Sequence, residues 1–323
     1  MTWLYYDPLF LEHDTGRHPE SALRLSRIVA HLSQTGLEGL CSRPAFDPVS
    51  LEQLARVHSV EYVHEVRDFA ARQGGYIESD TVVSRRSFDA ACKAAGAVCD
   101  AVRRVVSGED RRAVCLVRPP GHHALRSHAM GFCLFNNVAI GARLATAELE
   151  LDRVLIVDWD VHHGNGTQNA FWTDEQVGFL SIHRWPFYPG TGRADETGGG
   201  KGLGTTCNVP VPYGISAEEY QGKFAAALQP FADRIRPQLV IVSAGYDSHH
   251  EDPIGSLGLE VEDFAILTQR VVEVAEVHCG GRVVSVLEGG YNVEVVPQCV
   301  EAHLRAMMQG CGAGDSGPQR RPG

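Results

Sequence analysis

"VLIVDWDVHHGNGTQNAF", from Val154 to Phe171, opens as a run of β-favouring apolar residues. It then sets Asp158, Asp160 and His162 at alternate positions as the run ends. Side chains two apart in a strand share a side. The alternation therefore predicts three polar groups facing one spot, with Trp159 and His163 turned away. A metal ion is the natural occupant of such a spot. Whether one fits depends on what the rest of the chain brings there.

Similar runs of Val, Ile and Leu, stopped by Gly, Pro or charge, recur in "AVCLVRPP", "QVGFLSIH", "PQLVIVSAG" and "GRVVSVLEGG". Each reads as a short buried strand. Between them, "FNNVAIGARLATAELE", "AEEYQGKFAAALQPFADRI" and "VEDFAILTQRVVEVAEVHC" carry apolar residues at helical spacing. Strands alternating with helices predict an α/β fold, with a central, mostly parallel sheet flanked by helices. In such sheets ligands bind beyond the carboxyl ends of the strands. The ends here carry His122 and His123 in "RPPGHHA", the DWDVHH group, Asp247 in "SAGYD" and Tyr291 in "EGGYN". Scattered core residues would not choose the same edge.

The whole chain fits that picture. Its 323 residues are 44% apolar and 21% charged, ordinary for a globular protein with a sizeable core. The net charge of -11 argues against a nucleic-acid partner, which calls for a basic face. Nine cysteines, an odd number without CxxC pairs, point to reduced thiols and a cytoplasmic protein. No secretory signal opens the chain and no apolar run would span a membrane. One domain is expected over residues 1–310, and the Gly-, Pro- and Arg-rich stretch 311–323 reads as a disordered tail. Oligomeric state, a homo-oligomer included, stays open.

Asp160, His162 and Asp247 together offer two carboxylates and an imidazole, leaving coordination positions for water and substrate. Their mixed oxygen and nitrogen donors suit Zn²⁺ or Fe²⁺ without separating them. Two carboxylates nearly neutralise a divalent ion, so its water is acidified less and needs a base. His122 and His123 supply imidazoles that titrate near neutrality, and Asp158 is placed to orient one of them. Tyr291 follows two glycines and is either an oxyanion donor or an ordinary buried tyrosine. Phe132, Phe187 and Tyr188 stand in loops at this edge, as channel walls or as core anchors.

Taken in order, "RPPGHHA…MGFCLFNNVAIGA", "VDWDVHHGNGTQNAF", "PGTG", "SAGYD" and "EGGYN" resemble the histone deacetylase superfamily, in wording nearest its class II branch. The superfamily includes bacterial deacetylase-like amidohydrolases and acetylpolyamine amidohydrolases. The resemblance covers nearly the whole chain. It implies a single arginase/deacetylase-like domain that hydrolyses N-acetyl amides with zinc. It makes Asp160, His162 and Asp247 the metal ligands, His122 and His123 the catalytic pair, Asp158 the partner of His122, and Tyr291 the transition-state tyrosine. Gly131, Phe132 and Tyr188 fall on an acyl-lysine tunnel. Structural potassium ions would lie at Asp158, Asp160, His162, Ser181 and Ile182, and at Phe171 and Val177.

Three positions depart from relatives. Tyr188 stands where Phe is usual, and Asn165 where class I members have Asp. Ile254 occupies the place where a polyamine-selective branch has Glu. The expected substrate is an acetylated lysine peptide or a small acetylated amine. The alternatives are an acetylpolyamine or other small acyl-amine amidohydrolase and, in another class, a low-activity acyl-group binding protein. The segment "GGYIESDTVVSRR" (residues 74–86) is expected to form a rim loop.

Overall fold

Five of the apolar runs read from the sequence become strands of one eight-stranded sheet. The computed structural model describes residues 2–309, so the stretch read as a tail, 311–323, lies outside the described residues. Along the chain the strands are β1 (Thr2–Tyr5), β2 (Cys41–Ser42), β3 (Gly75–Tyr76), β4 (Val82–Val83) and β5 (Arg112–Cys115). They continue with β6 (Val154–Asp158), β7 (Val177–Arg184), β8 (Thr206–Val211), β9 (Leu239–Ala244) and β10 (Val283–Leu287). The sheet order is β2-β1-β5-β10-β9-β6-β7-β8. Every pairing in it is parallel. β3 and β4 form a separate antiparallel hairpin.

Parallel strands need crossovers, and the crossovers bury the sheet. Helices Ala22–Gln34, Val296–Met308, Val261–Cys279 and Ala217–Ile235 pack side by side in one layer. Ser87–Ser107 packs on Asn137–Ala147, the first against β5 and β10 and the second against β6 and β9. β6, β9 and β10 are consequently buried along their whole length, which is why they read as unbroken apolar runs. β8 escaped the sequence reading because Pro210 interrupts it; proline is tolerated there because β8 is an edge strand.

The expected strand alternation does not extend to His162. β6 stops at Asp158, so Asp160 and His162 are not strand residues and the alternation does not carry them. Two consecutive side-chain turns do so instead. Asp158 Oδ1 accepts the amide of Asp160 at 3.1 Å, and Asp160 Oδ1 accepts the amide of His162 at 2.9 Å. Such self-bonding turns are an ordinary use of aspartate. Trp159 does turn away, against Phe224 and His303.

The eight cysteines among the described residues are free thiols. No helix of the described residues is long and apolar enough to cross a membrane.

Behind the strand ends lies a buried ion cluster. Arg118 grips Glu20 through two nitrogens, and Arg24 reaches the same carboxylate at 3.1 Å. All three side chains are fully buried. Burial pushes the Glu20 pKa up, but Arg118 and His13 outweigh it and hold the carboxyl well below its usual range. The resulting stability is present above the unfolded pKa, near ~4.3, and is lost as the pH falls through the folded value. Glu20→Gln should cost about 3–5 kcal/mol at pH 7, the penalty for stranding buried guanidinium charge. The measurement is the urea midpoint of the variant against that of the unaltered chain.

Candidate metal centre

β5, β10, β9, β6 and β7 are consecutive neighbours in the sheet although they are far apart in the sequence. Their carboxyl ends deliver His122 and His123, Tyr291, Asp247, the Asp158–His162 turns, and Tyr188 to one place. Adjacency in the sheet, not in the chain, builds the site.

Asp160, His162 and Asp247 bring ligand-type atoms within 4.8 Å of one another, and all three are buried. His162 Nδ1 lies 3.0 Å from Asp160 Oδ1 and 3.1 Å from Asp247 Oδ2. That nitrogen has one hydrogen to give, and Asp247 Oδ2 is left buried without a hydrogen-bond partner. The electrostatics say the same. Burial and the charge of Asp160 raise the Asp247 pKa to about 7. Burial pulls His162 down, yet the two carboxylates bring it up to about 9. Two acids and an imidazole competing for too little positive charge fit a divalent cation. The remaining oxygens are fixed by amides: Val161 on Asp247 Oδ1 at 2.9 Å, and Gly289 on Asp160 Oδ2 at 2.8 Å. A Cβ at Gly289 would stand 2.2 Å from Asp247 Oδ2, so only glycine lets the backbone come this close.

The tandem histidines differ in their partners. His122 Nδ1 pairs with Asp158 Oδ2 at 3.0 Å. Burial lowers the His122 pKa, but Asp160 and Asp158 outweigh it and raise it to about 10. His123 Nδ1 meets Asn165 Oδ1 at 2.7 Å, with the Asn165 amide nitrogen turned to Met130 Sδ. An amide oxygen only accepts, so Nδ1 carries the proton and Nε2 keeps its lone pair. Burial, then the neighbouring His122 and His162 charges, drive the His123 pKa well below its ordinary value. Tyr291 is held the opposite way: burial and the charge of Asp247 push its phenol well above 10, so it stays protonated.

Aromatic rings close over this centre. Phe132 packs edge-on to Tyr291 at 5.7 Å, and Tyr188 packs edge-on to His123 at 5.3 Å. Phe187 stacks on His162 at 5.2 Å. Gly131 has φ +56°, and a Cβ there would strike the His123 ring at 2.3 Å. Ile254, expected to line the substrate tunnel as well, donates its backbone amide to Asp252 at 2.9 Å. Ser181 pairs with Asp158 across β6 and β7, and Ile182 follows it. Val177 begins β7, and Phe171 ends the short helix Asn165–Phe171.

With this geometry in place, residues 18–307 match the histone deacetylase domain. The chain belongs to the histone deacetylase family. It is 39% identical over 313 residues to a probable deacetylase of Archaeoglobus fulgidus, covering 96% of this chain and 87% of that one. It is 38% identical to histone deacetylase 10, chloroplastic, of Oryza sativa subsp. japonica, over 94% of this chain and 73% of the relative. The crystal structure of the HDA15 HD domain superposes with a TM-score of 0.91 at 36% identity, covering 96% of this chain and 88% of that one. The expected family and fold stand, and membership places this deacetylase among enzymes that hydrolyse acetylated substrates.

Other residues of this deacetylase site were not singled out from the sequence. The rim segment 74–86 is a hairpin, and its Asp80 and Thr81 side chains accept the amides of Gly131 and Phe132 at 3.2 and 3.1 Å. Glu288, fully buried, accepts the amides of Gly121 and His122 at 2.7 and 3.2 Å. Arg24 donates to the carbonyls of Gly290 and Glu288, and its guanidinium lies 4.9 Å from the Tyr291 ring centre. In "LEGG" the charge of Glu288 directly follows an apolar run, the one local signal for a buried acid there. A second cluster, His249, His250 and Glu260, lies more exposed. There His249 Nδ1 accepts the Glu251 amide, which places the ring proton on Nε2, the atom facing Glu260. That tautomer does not suit a ligand.

Asp247→Ala should abolish stoichiometric zinc retention after dialysis, measured by elemental analysis of the purified protein. A full equivalent retained would count against this ligand set.

Proposed function

We propose that this protein hydrolyses N-acetyl amides at the Asp160–His162–Asp247 centre, taking acetyl-lysine in a peptide or a small acetylated amine. What supports the reading is a contrast between two groups beside one ligand set: a neutral His123 with a free Nε2 and a Tyr291 phenol kept protonated. Environments that push two titratable groups apart make an acid–base assignment. Asp160, His162 and Asp247 would hold a zinc or ferrous ion, which would supply Lewis acidity there. His123 Nε2 takes the proton from the attacking water. Tyr291 donates a hydrogen bond to the amide oxygen as negative charge develops there. The proton then passes to the leaving amine from His123 or from His122, which Asp158 orients. Phe132 and Tyr188 flank the acyl chain and exclude water.

Ile254 offers a polyamine cation no carboxylate, which favours acetyl-lysine over acetylpolyamines. An intact Tyr291 favours turnover over mere acyl-group binding. Potassium is assigned to the carbonyls around Asp158, Asp160, His162, Ser181 and Ile182, and around Phe171 and Val177. The free thiols suit the reducing cytoplasm. The test is kcat/KM across acetyl-lysine peptides, acetylputrescine, acetylspermidine and longer acyl-lysines. Turnover of none of them by metal-loaded protein would overturn the reading.

Tyr291→Phe should lower kcat by about two to three orders of magnitude, as loss of an oxyanion donor does; near-normal turnover would refute its role. Asn165→Asp sets a carboxylate against the proton on His123 Nδ1 and should raise that pKa by about 1–3 units. The base must be unprotonated, so the acidic limb of kcat/KM should move to higher pH. An unmoved limb would remove His123 from that role.

A further inference from the structure

The Tyr291 backbone is held by a residue that no step above uses. Asp252, in the loop after β9, is 4% exposed. Its Oδ1 accepts the amides of Ile254 and Gly255, each at 2.9 Å. Its Oδ2 accepts the amide of Tyr291 at 2.6 Å, across 39 residues of chain. The Gly255 carbonyl in turn accepts Arg184 Nη1 at 3.0 Å. Arg184 lies 4.1 Å over the Phe187 ring, and Phe187 stacks on His162. One carboxylate thus joins the Tyr291 turn to a segment braced against a metal-ligand candidate.

We propose that Asp252 is a positioning residue, coupling the Ile254–Gly255 segment to Tyr291 so that the phenol is registered against the acyl site. The inference rests on the reading above, in which Tyr291 donates to the amide oxygen. Gly290, with φ +114°, makes the turn before Tyr291 pliable, so the turn needs an external restraint. Asp252 supplies it on the amide side and Arg24 on the Gly290 carbonyl side. Three N–H donors converge on this carboxylate, and it offers none in return. Asparagine is therefore not conservative here: its NH₂ would face either Tyr291 N–H or the two amides of the loop. A donor displaced by about 1 Å can cost 10²-fold in rate while leaving the binding contacts intact.

The experiment uses the metal-loaded full chain, with an acetyl-lysine peptide as substrate. Asp252→Asn should lower kcat roughly ten- to a hundredfold, with KM within about twofold and the zinc equivalent unchanged. In a Tyr291→Phe background the same change should cost less than about twofold, because the donor it positions is already gone. An equal loss in both backgrounds would overturn the coupling, as would unchanged kcat in Asp252→Asn alone. If the Asn variant does not fold, Asp252→Ala removes the carboxylate without opposing donors and must show the same pattern. A ¹⁹F signal from fluorotyrosine at position 291 should shift in either variant; an unshifted signal overturns the proposal. Full turnover by Tyr291→Phe alone would instead overturn the underlying role of the phenol.

Discussion

Four carboxylates, those of Asp158, Asp160, Asp247 and Glu288, are fully buried at the end of an apolar sheet. Burying such groups is costly unless they are paired or hydrogen-bonded, and the surrounding loops are arranged to meet that cost. Asp158 takes the His122 ring and the Asp160 amide; Asp160 takes the amides of His162 and Gly289. Asp247 takes Val161, and Glu288 takes Gly121 and His122. Each acid ties the loop beyond one strand to itself or to the loop beyond another strand of the sheet. Satisfying the acids and positioning the site are one process. Of the oxygens of these four residues, Asp247 Oδ2 is buried without a hydrogen-bond partner, and it faces the place where a cation fits.

The same burial separates the roles of the titratable groups. His122 sits between acids and is held charged, whereas His123 is bonded to an amide oxygen beside two other imidazoles, and burial holds it neutral. Tyr291 is deprived of water and faces the charge of Asp247, which together outweigh the nearby Arg24, so its proton stays. Near neutral pH one cluster thereby holds a charged imidazole, a neutral imidazole and a protonated phenol side by side. The glycines at 131 and 289 permit this density, because a side chain at either would enter the His123 ring or the carboxylate pair.

Much of this was legible beforehand. The β-favouring runs of Val, Ile and Leu gave five of the sheet strands, and the strand-end rule gathered His122, His123, Asp160, His162, Asp247 and Tyr291. The resemblance added Asn165, whose oxygen does meet His123. The reading faltered where it extended the strand past Asp158. It passed over Asp252, Asp80 and Thr81 because their residue types are those of any polar turn. Nothing local marks Asp252 as the acceptor for an amide 39 residues on, or Glu288 as the acceptor for one 167 residues back.

Sequence alone determined which residue types could meet at a strand end, because apolar runs, glycines and acids act through neighbours in the chain. It could not determine the strand order. Only the tertiary structure put β10 between β5 and β9, and so brought Tyr291 and Glu288 between the tandem histidines and Asp247. The reason is physical: hydrogen bonds accepted by Asp252 and Glu288 and donated by Arg24 act over a few ångströms in space but across long stretches of chain, and no local pattern records them.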